Sequence, residues 1–455
     1  MGWIHIVGVG GIAMSAIAQY FLEAGYKVTG SDLNSNQLIE ELEKKGAEIT
    51  IGHQQDNIST DIEKVIYSDA IPEDNVELVA AKKYNLERLG RSQALKLITK
   101  DKDVISATGT HGKTTTSAMI AQVLETGGKD VSFIIGGILN NFASNFKIDQ
   151  GDYFVLEGDE YGRSFLQYKS ELGVLTNIEY DHPDIYQDLD DLLAAYKEYV
   201  TNLGSYLVTN QQVIEQLKLD TLDLEIEVET VGVNQPEATF NAVEIEEQEL
   251  TSYFDLEYQG QRVDRFEIEG LGDYNIKHAL EAIAIGNYCG LSFAEMKEAF
   301  SKWSGVKRRF EVLYAAGDKI VITDYAHHPS EVDVVTATLE RIKTTKKKVV
   351  IFQPHQYIRT NRLFDDYSGV LDKELDQKIV SKIYKVREQV LEAELDRLGV
   401  ELSQTISSGE IYYCNQLEEV KEWLEEYDQN EQAIYLFLGA GNIDDFAREW
   451  VAEFN

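Results

Sequence analysis

Five prolines in 455 residues are too few to mark domain boundaries, and no internal repeat or low-complexity linker takes their place. Segments must be delimited by the alternation of apolar runs and turns. Cysteine is scarcer still: Cys289 and Cys414 stand far apart with no metal-ligand spacing around either, so both read as buried packing residues. No stretch approaches the roughly 18 unbroken apolar residues of a membrane span. The run Ile4–Ala18 imitates the core of a leader peptide, but no basic residue precedes it and Gly8, Gly10 and Gly11 interrupt it. A buried strand and turn in a cytoplasmic protein is expected instead. Cations are also short. With 42 Lys and Arg against 79 Asp and Glu the formal charge is −37, which argues against a nucleic-acid partner because no surplus of cations exists to displace counterions. The acids fall on amphipathic stretches such as Leu417–Asp428 and in the run Asp220–Glu229, a solvated, self-repelling surface. An anionic substrate must therefore be met by local cations or metal ions.

The chain does have length and regular punctuation. At 455 residues and 43% hydrophobic content it is long enough for about three domains at ~150 residues each. Strand-like and helix-like segments alternate from the start, as in Trp3–Val7, Ser15–Ala24, Tyr26–Gly30 and Leu38–Lys45, which implies βαβ units and a parallel sheet. A first unit is expected over 1–98. A second, 99–304, carries strands at Asp103–Ala107, Tyr153–Leu156, Gly173–Asn177 and Tyr206–Thr209, a β-rich stretch from Phe240 to Ile268 and a helix Asn275–Tyr288. A third, 305–455, has strands at Lys319–Asp324, Lys348–Phe352, Ile379–Tyr384 and Ala433–Leu438.

Residues 107–116 read ATGTHGKTTT. An apolar strand runs into a glycine-flanked turn and then a lysine with three threonines, the order that a triphosphate site needs. Backbone N–H groups from Gly109 through Thr110 and His111 to Gly112 can wrap phosphate oxygens, Lys113 can neutralise them, and the hydroxyl of Thr114 or Thr115 can ligate Mg²⁺. The following helix points its positive end at the same anion. The general pattern GxxxxGKS/T has glycine where this chain has Ala107, so the loop is a variant. At residues 8–15, GVGGIAMS is a GxGxxA turn with Asp32 ending the next strand. Such a turn suits any diphosphate, a nucleotide sugar as well as NAD.

Five of the eight histidines, His111, His182, His327, His328 and His355, fall at strand ends. In EGDEYGRSF (157–165) a strand delivers Glu157, Asp159 and Glu160 to a loop, and NIEYDHPD (177–184) delivers Asp181 and His182. Carboxylate and imidazole at neighbouring strand ends facing a phosphate loop suit one or two Mg²⁺ ions. GVKRRFE (305–311) puts Lys307, Arg308 and Arg309 at the second boundary, where a cation can serve a transferring phosphoryl group. TDYAHHPSE (323–331) and FQPHQYIRT (352–360) bring Asp324, His327, His355 and Arg359 to a carboxyl sheet edge, with the arginine suited to a carboxylate.

Taken in order, these motifs resemble the Mur ligases of peptidoglycan precursor synthesis, over nearly the whole chain. The resemblance implies an α/β protein of three domains: an N-terminal Rossmann-like domain for the UDP moiety, a central P-loop ATPase domain with a parallel sheet, and a C-terminal Rossmann-like domain for the incoming amino acid. It implies ATP and Mg²⁺, and small-molecule substrates with neither nucleic acid nor membrane as partner. The alanine-adding branch fits best: ATP would phosphorylate the lactyl carboxylate of UDP-N-acetylmuramate, and L-alanine would attack the acyl phosphate. Lys113 would hold the phosphates, Thr114 and Glu157 one Mg²⁺ and His182 a second. Asn275 and Asp324 would lie near the nucleotide, Arg309 near the transferring group, and Tyr325, His327, His355 and Arg359 near the amino acid. Gly8, Gly10, Gly11, Ile12, Ser15, Asp32, Ser68, Asn140, Asn141 and Ser164 would meet the UDP-sugar.

Some positions depart from that pattern. Tyr161 and the AHHP at 326–329 are closer to the ligase that recycles murein tripeptide, Gln356 stands where a second arginine is usual, YKVRE (384–388) replaces YPARE, and His278 replaces an adenine-side asparagine. A peptide acceptor therefore stays open beside L-alanine. A non-catalytic nucleotide-binding relative also stays open, as does an NAD-binding protein, which would leave the phosphate loop unexplained.

Overall fold

The alternation that begins at Trp3 folds as a parallel five-stranded sheet, in the order Glu48–Ile51, Lys27–Asp32, Trp3–Val7, Lys64–Tyr67, Glu87–Gly90. Strand order reverses beside Trp3–Val7, so the carboxyl ends of that strand and Lys64–Tyr67 open the crevice where such sheets take ligands. The computed structural model describes residues 2–182, 185–386, 388–427 and 432–454. Pro183 and Asp184 of the NIEYDHPD segment, Arg387 of YKVRE and Asp428 of the acidic stretch lie outside the described residues.

A second sheet of ten strands has the parallel core Glu227–Val233, Tyr206–Thr209, Leu172–Leu175, Asp103–Thr108, Tyr153–Gly158, Val131–Leu139. Ser144–Lys147 adds an antiparallel edge, and Phe240–Gln248, Thr251–Tyr258 and Gln261–Glu269 extend the other side. Asp103–Thr108 lies between Leu172–Leu175 and Tyr153–Gly158, so the loops leaving these three strands meet at one edge. The strand expected over Gly173–Asn177 stops at Leu175, because Thr176 and Asn177 turn to bond the phosphate loop.

The third sheet has six strands: Glu311–Ala316, antiparallel, then Lys319–Asp324, Ala433–Leu438, Lys347–Phe352, Gln377–Ser381 and Glu410–Cys414, all parallel. Ala433–Leu438 is buried at every position, as a central parallel strand covered on both faces must be. The strand expected over Ile379–Tyr384 is Gln377–Ser381; Tyr384 instead makes an isolated bridge with His355.

Three sheets occupy two compact units. The chain through Glu246, with Tyr253–Glu269 and Asp273–Ser304, forms one; Glu247–Ser252, Gly270–Gly272 and the chain from Gly305 form the other. The first two sheets share a unit because Ile17, Phe21 and Ile98 lie in one apolar cluster with Phe146, Phe154 and Leu156. Burial of one continuous core favours keeping them together. Cys289 and Cys414 are buried and unpaired. No helix among the described residues is long and apolar enough to cross a membrane.

Candidate active site

Gly109 and Gly112 have φ of 130° and 84°, a region that side chains with a Cβ avoid. A Cβ on Gly109 would strike Thr176 and the backbone of Asn177, and one on Gly112 would strike the His278 ring. The loop is clamped from the neighbouring strand end. Asn177 O accepts the Thr110 N–H at 3.1 Å, Asn177 Oδ1 accepts the His111 N–H at 3.0 Å, and Thr176 Oγ1 donates to His111 O at 2.7 Å. Helix Lys113–Thr126 starts from Gly112 with no side-chain cap, which leaves its first N–H groups to an anion. Thr114 is buried, Thr115 half-buried, and Thr116 Oγ1 donates to Glu281 Oε2 at 2.7 Å. Asn275 is buried in the helix Asp273–Tyr288, one turn before the His278 that abuts Gly112. Gly112→Ala should weaken ATP binding roughly tenfold or more while the fold persists. Calorimetric titration with ATP checks it, and an unchanged Kd would remove this turn from the nucleotide site.

Lys113 curls back over its own loop. Its Nζ donates to Gly109 O at 2.7 Å, Thr110 O at 3.1 Å and Glu160 Oε1 at 2.9 Å. Burial alone would lower its pKa, but Glu160, Asp159 and Glu157 raise it above the usual lysine value, so the cation is held charged. Glu160, named in the sequence only as one acid of its cluster, is the hub. Its side chain is 3% exposed, and its second oxygen lies 2.8 Å from Nζ yet makes no well-angled hydrogen bond. His182 Nε2 lies 3.3 Å from Glu160 Oε1. Burial lowers the His182 pKa, but Glu160 and Asp181 outweigh it and the net shift is upward.

Glu157 Oε1 accepts the Gly136 N–H at 2.9 Å. Among the described residues no three His, Cys, Asp or Glu side chains form a ready-made metal cage. A hydroxyl and one or two carboxylates beside a phosphate loop are nevertheless the donors that Mg²⁺ takes when phosphate and water complete its shell. The residues present fit that ion.

Sequence reading missed Arg91. Its Nε donates to Asp69 at 2.9 Å, and its Nη2 to Asp159 at 2.6 Å and to Ser164 Oγ at 3.3 Å. It thereby ties the first sheet to the carboxylate loop of the second. No local motif marks it, because its partners lie 22, 68 and 73 residues away. Asn140 and Asn141 were expected at the sugar; their amides donate to Ser304 O at 2.7 Å and to Lys302 O.

At the first sheet's crevice, Gly8 has φ of 80° and its N–H donates to Ser31 O at 2.8 Å. The Asp32 carboxylate accepts the Gly10 N–H at 2.9 Å, and Ser68 N–H donates to Val7 O at 3.1 Å. Gly11 precedes helix Ile12–Glu23 without a side-chain cap. Ser15 Oγ donates to Ile12 O at 2.8 Å, while the Ile12 side chain is exposed. Gly8, Gly10, Gly11, Asp32 and Ser68 are thus brought to one turn, and the uncapped start of the helix that follows it suits a diphosphate.

In the second compact unit the expected residues also gather. Asp324 is buried and accepts N–H groups from Phe310 and Ala326, each at 2.7 Å; burial raises its pKa to about 6 against the pull of Arg309. Tyr325 lies beneath both Arg308 and Arg309, 4.7 and 5.2 Å from its ring centre. Arg308 and Phe310 are left-handed, with φ of 61° and 45°, strain of the kind that collects at functional turns. His327 and His355 rings lie 5.5 Å apart, and Arg359 Nη1 is 3.4 Å from His355 Nδ1. Burial lowers both imidazoles, His355 to about 4, so both are neutral at pH 7 and His327 can accept a proton. Tyr384, not foreseen as part of this cluster, stacks on His355 at 5.8 Å and 8°.

Residues 3–103 match the Mur ligase family catalytic domain, 107–286 the Mur ligase middle domain, and 308–441 the Mur ligase glutamate ligase domain. The UDP-N-acetylmuramate--L-alanine ligase of Aquifex aeolicus is 34% identical over 99% of this chain and 97% of its own. The chain belongs to the Mur ligase family. The enzyme of that name from Desulforamulus reducens is also 34% identical, over 98% of this chain and 97% of its own. The crystal structure of UDP-N-acetylmuramate-alanine ligase from Thermotoga maritima superposes with a TM-score of 0.85 at 27% identity, covering 100% of this chain and 99% of that one. A murein peptide ligase from Psychrobacter arcticus shares the fold, with a TM-score of 0.74 at 21% identity, 99% of this chain and 98% of that one being covered. As a Mur ligase, the chain carries its phosphate loop in the segment that matches the middle domain and its His327, His355 and Arg359 cluster in the segment that matches the glutamate ligase domain.

Proposed function

We propose that this Mur ligase joins L-alanine to the lactyl carboxylate of UDP-N-acetylmuramate, using ATP, in peptidoglycan precursor synthesis in the cytoplasm. The observation that carries it is the Lys113 ammonium lodged between its own loop carbonyls and Glu160. A cation so placed meets the β- and γ-phosphates when they enter. We take the domains as 1–98 for the UDP-substrate, 99–304 for ATP and 305–455 for the amino acid. The turn at Gly8 to Ser15, with Asp32 and Ser68, takes the diphosphate; Ser164, Asn140 and Asn141 face the sugar. Thr114, Glu157 and, once deprotonated, His182 hold Mg²⁺, which when bound would neutralise phosphate charge.

A carboxylate is a poor acyl donor because its leaving group would be oxide. Transfer of the γ-phosphoryl group to the lactyl carboxylate gives an acyl phosphate; the amine of L-alanine then attacks the carbonyl, forming the amide and releasing phosphate. Lys113 and Arg309 offset charge on the transferring group, so that catalysis is largely positioning and electrostatics. Asn275 and Asp324 contact the nucleotide. Arg359 pairs with the amino-acid carboxylate while Tyr325 and His355 wall the site. Neutral His327 takes the proton that the attacking ammonium must lose. Arg359→Ala should raise the KM for L-alanine by about 10- to 100-fold, as loss of a charged hydrogen bond predicts, and leave that for ATP within about twofold. An unchanged alanine KM would displace Arg359 from the acceptor site.

Phosphate release with ATP, Mg²⁺ and UDP-N-acetylmuramate tests the function, comparing L-alanine, glycine, L-serine and L-Ala-γ-D-Glu-meso-diaminopimelate. Release driven by L-alanine is expected. Release with the tripeptide alone would move the chain to the recycling reaction, and no release with any acceptor would make it a non-catalytic relative.

A further inference from the structure

The Lys113 ammonium has three N–H donors, and all of them are engaged, by Gly109 O, Thr110 O and Glu160 Oε1. Its neighbourhood nevertheless holds further acids, since Asp159 and Glu157 act on it as well as Glu160. Asp159 is kept from competing by a residue of the first sheet's side of the unit. Arg91 Nη2 donates to Asp159 Oδ2 at 2.6 Å and the Tyr161 N–H donates to Oδ1 at 3.0 Å, so both oxygens of that carboxylate are occupied. Burial would raise the Asp159 pKa, but Arg91 opposes it most strongly, Lys113 next, and the net shift is downward. Asp159 therefore stays an anion whose charge is met by the guanidinium rather than by the lysine.

The place of Arg91 in the chain supports a role outside its own helix. It is the first residue of helix Arg91–Ile98, where a cation opposes the helix dipole. Its planar fork is used in full: Nε donates to Asp69 at 2.9 Å, while Nη2 also reaches Ser164 Oγ at 3.3 Å. Ser164 follows Gly162 and Arg163, both left-handed with φ of 60° and 55°, so the guanidinium grips a strained turn that begins at Glu160. We propose that Arg91 is a positioning residue for the phosphate loop: by neutralising Asp159 it leaves Lys113 to Glu160 and to the incoming phosphates. The inference rests on the proposed role of Lys113 at the ATP phosphates. Without Arg91, the Asp159 carboxylate draws the ammonium away from its loop, and phosphate meets a more negative cluster.

Calorimetric titration with ATP tests this. Arg91→Met keeps the stem and removes the charge, and ATP binding should weaken roughly tenfold, as misplacing one charged hydrogen bond predicts. Adding Asp159→Asn to Arg91→Met removes the competing charge and should recover most of that loss. A simple brace between the two sheets predicts no recovery, because the double variant restores no contact. Arg91→Lys keeps the charge without the fork and should stay within about threefold of wild type. It also leaves no carboxylate stranded, so it serves if Arg91→Met melts too low to titrate. An unchanged Kd in Arg91→Met, a double variant no better than the single one, or Arg91→Lys more than about tenfold weaker than wild type would overturn the inference. Absence of ATP binding by the wild type would overturn it together with the phosphate-loop reading, and none of these titrations needs the ligase reaction to be observed.

Discussion

Lys113→Ala should lower kcat by roughly 10²- to 10³-fold, the usual cost of removing one group that stabilises transferring charge. No second cation at the phosphate loop is placed to take over its role among the described residues of the first compact unit. Lys113 is held by Gly109 O, Thr110 O and Glu160, and Arg91, which also enters the acid cluster, is occupied by Asp69 and Asp159. The variant also leaves Glu160 without its lysine, so it should melt lower, and thermal unfolding must be run beside the kinetics. Steady-state phosphate release well below the variant's melting range separates the two effects. Near wild-type kcat would refute the phosphate-loop assignment. Retention of kcat by Lys113→Arg would show that charge alone suffices.

The second large effect lies in the first sheet and concerns stability. Glu77 is fully buried, and its ion-pair partners among the described residues are His5 and His53. Its carboxylate accepts from Ser31 Oγ at 2.6 Å and the Gln54 N–H at 3.2 Å, and lies 3.3 Å from His53 Nδ1 and 3.8 Å from His5 Nε2. Burial alone would raise its pKa; the contacts with His5, Ser31 and Asn57 outweigh that and bring it from 4.5 to about 2. A folded pKa below the unfolded one means stability that is complete above about pH 4.5 and lost as the pH falls toward 2. The shift corresponds to roughly 3 kcal/mol. Glu77→Gln should therefore lower stability at pH 7 by about 2–3 kcal/mol, with the gap to wild type closing between pH 4.5 and 2. Urea unfolding across that range measures it, and a gap independent of pH would refute the linkage. Because Ser31 also accepts the Gly8 N–H through its carbonyl, the same variant should loosen the diphosphate turn.

Much of the site was legible because its signals are local. ATGTHGKTTT and GVGGIAMS encode their turns within eight to ten residues, and glycines at φ of 130°, 84° and 80° are required by sterics that no distant residue changes. The strand ends at Glu157, Asp324 and Phe352 were readable for the same reason: buried parallel strands are short apolar runs, and the residues that end them reach one sheet edge. His327, His355 and Arg359 were placed by that rule alone, and they converge.

What stayed hidden depends on partners far along the chain. Nothing near residue 91 announces that its arginine would bridge Asp69 and Asp159, and nothing near residue 77 announces a buried anion fed by His5, Ser31, His53 and Asn57. Within EGDE the sequence could not say which acid takes Lys113, because strand-end carboxylates separate only when packing closes around one of them; Glu160 is enclosed at 3% exposure. Nor could strand count foretell that three sheets would form two compact units, a partition made by which apolar faces meet. Composition, turn chemistry and the alternation of strands and helices along the chain were settled by the sequence itself, through steric and hydrophobic rules that act over a few residues. Ion pairing, burial and the sharing of cores were decided only by the tertiary structure, because desolvation and Coulomb energy depend on distances that the order of residues does not contain.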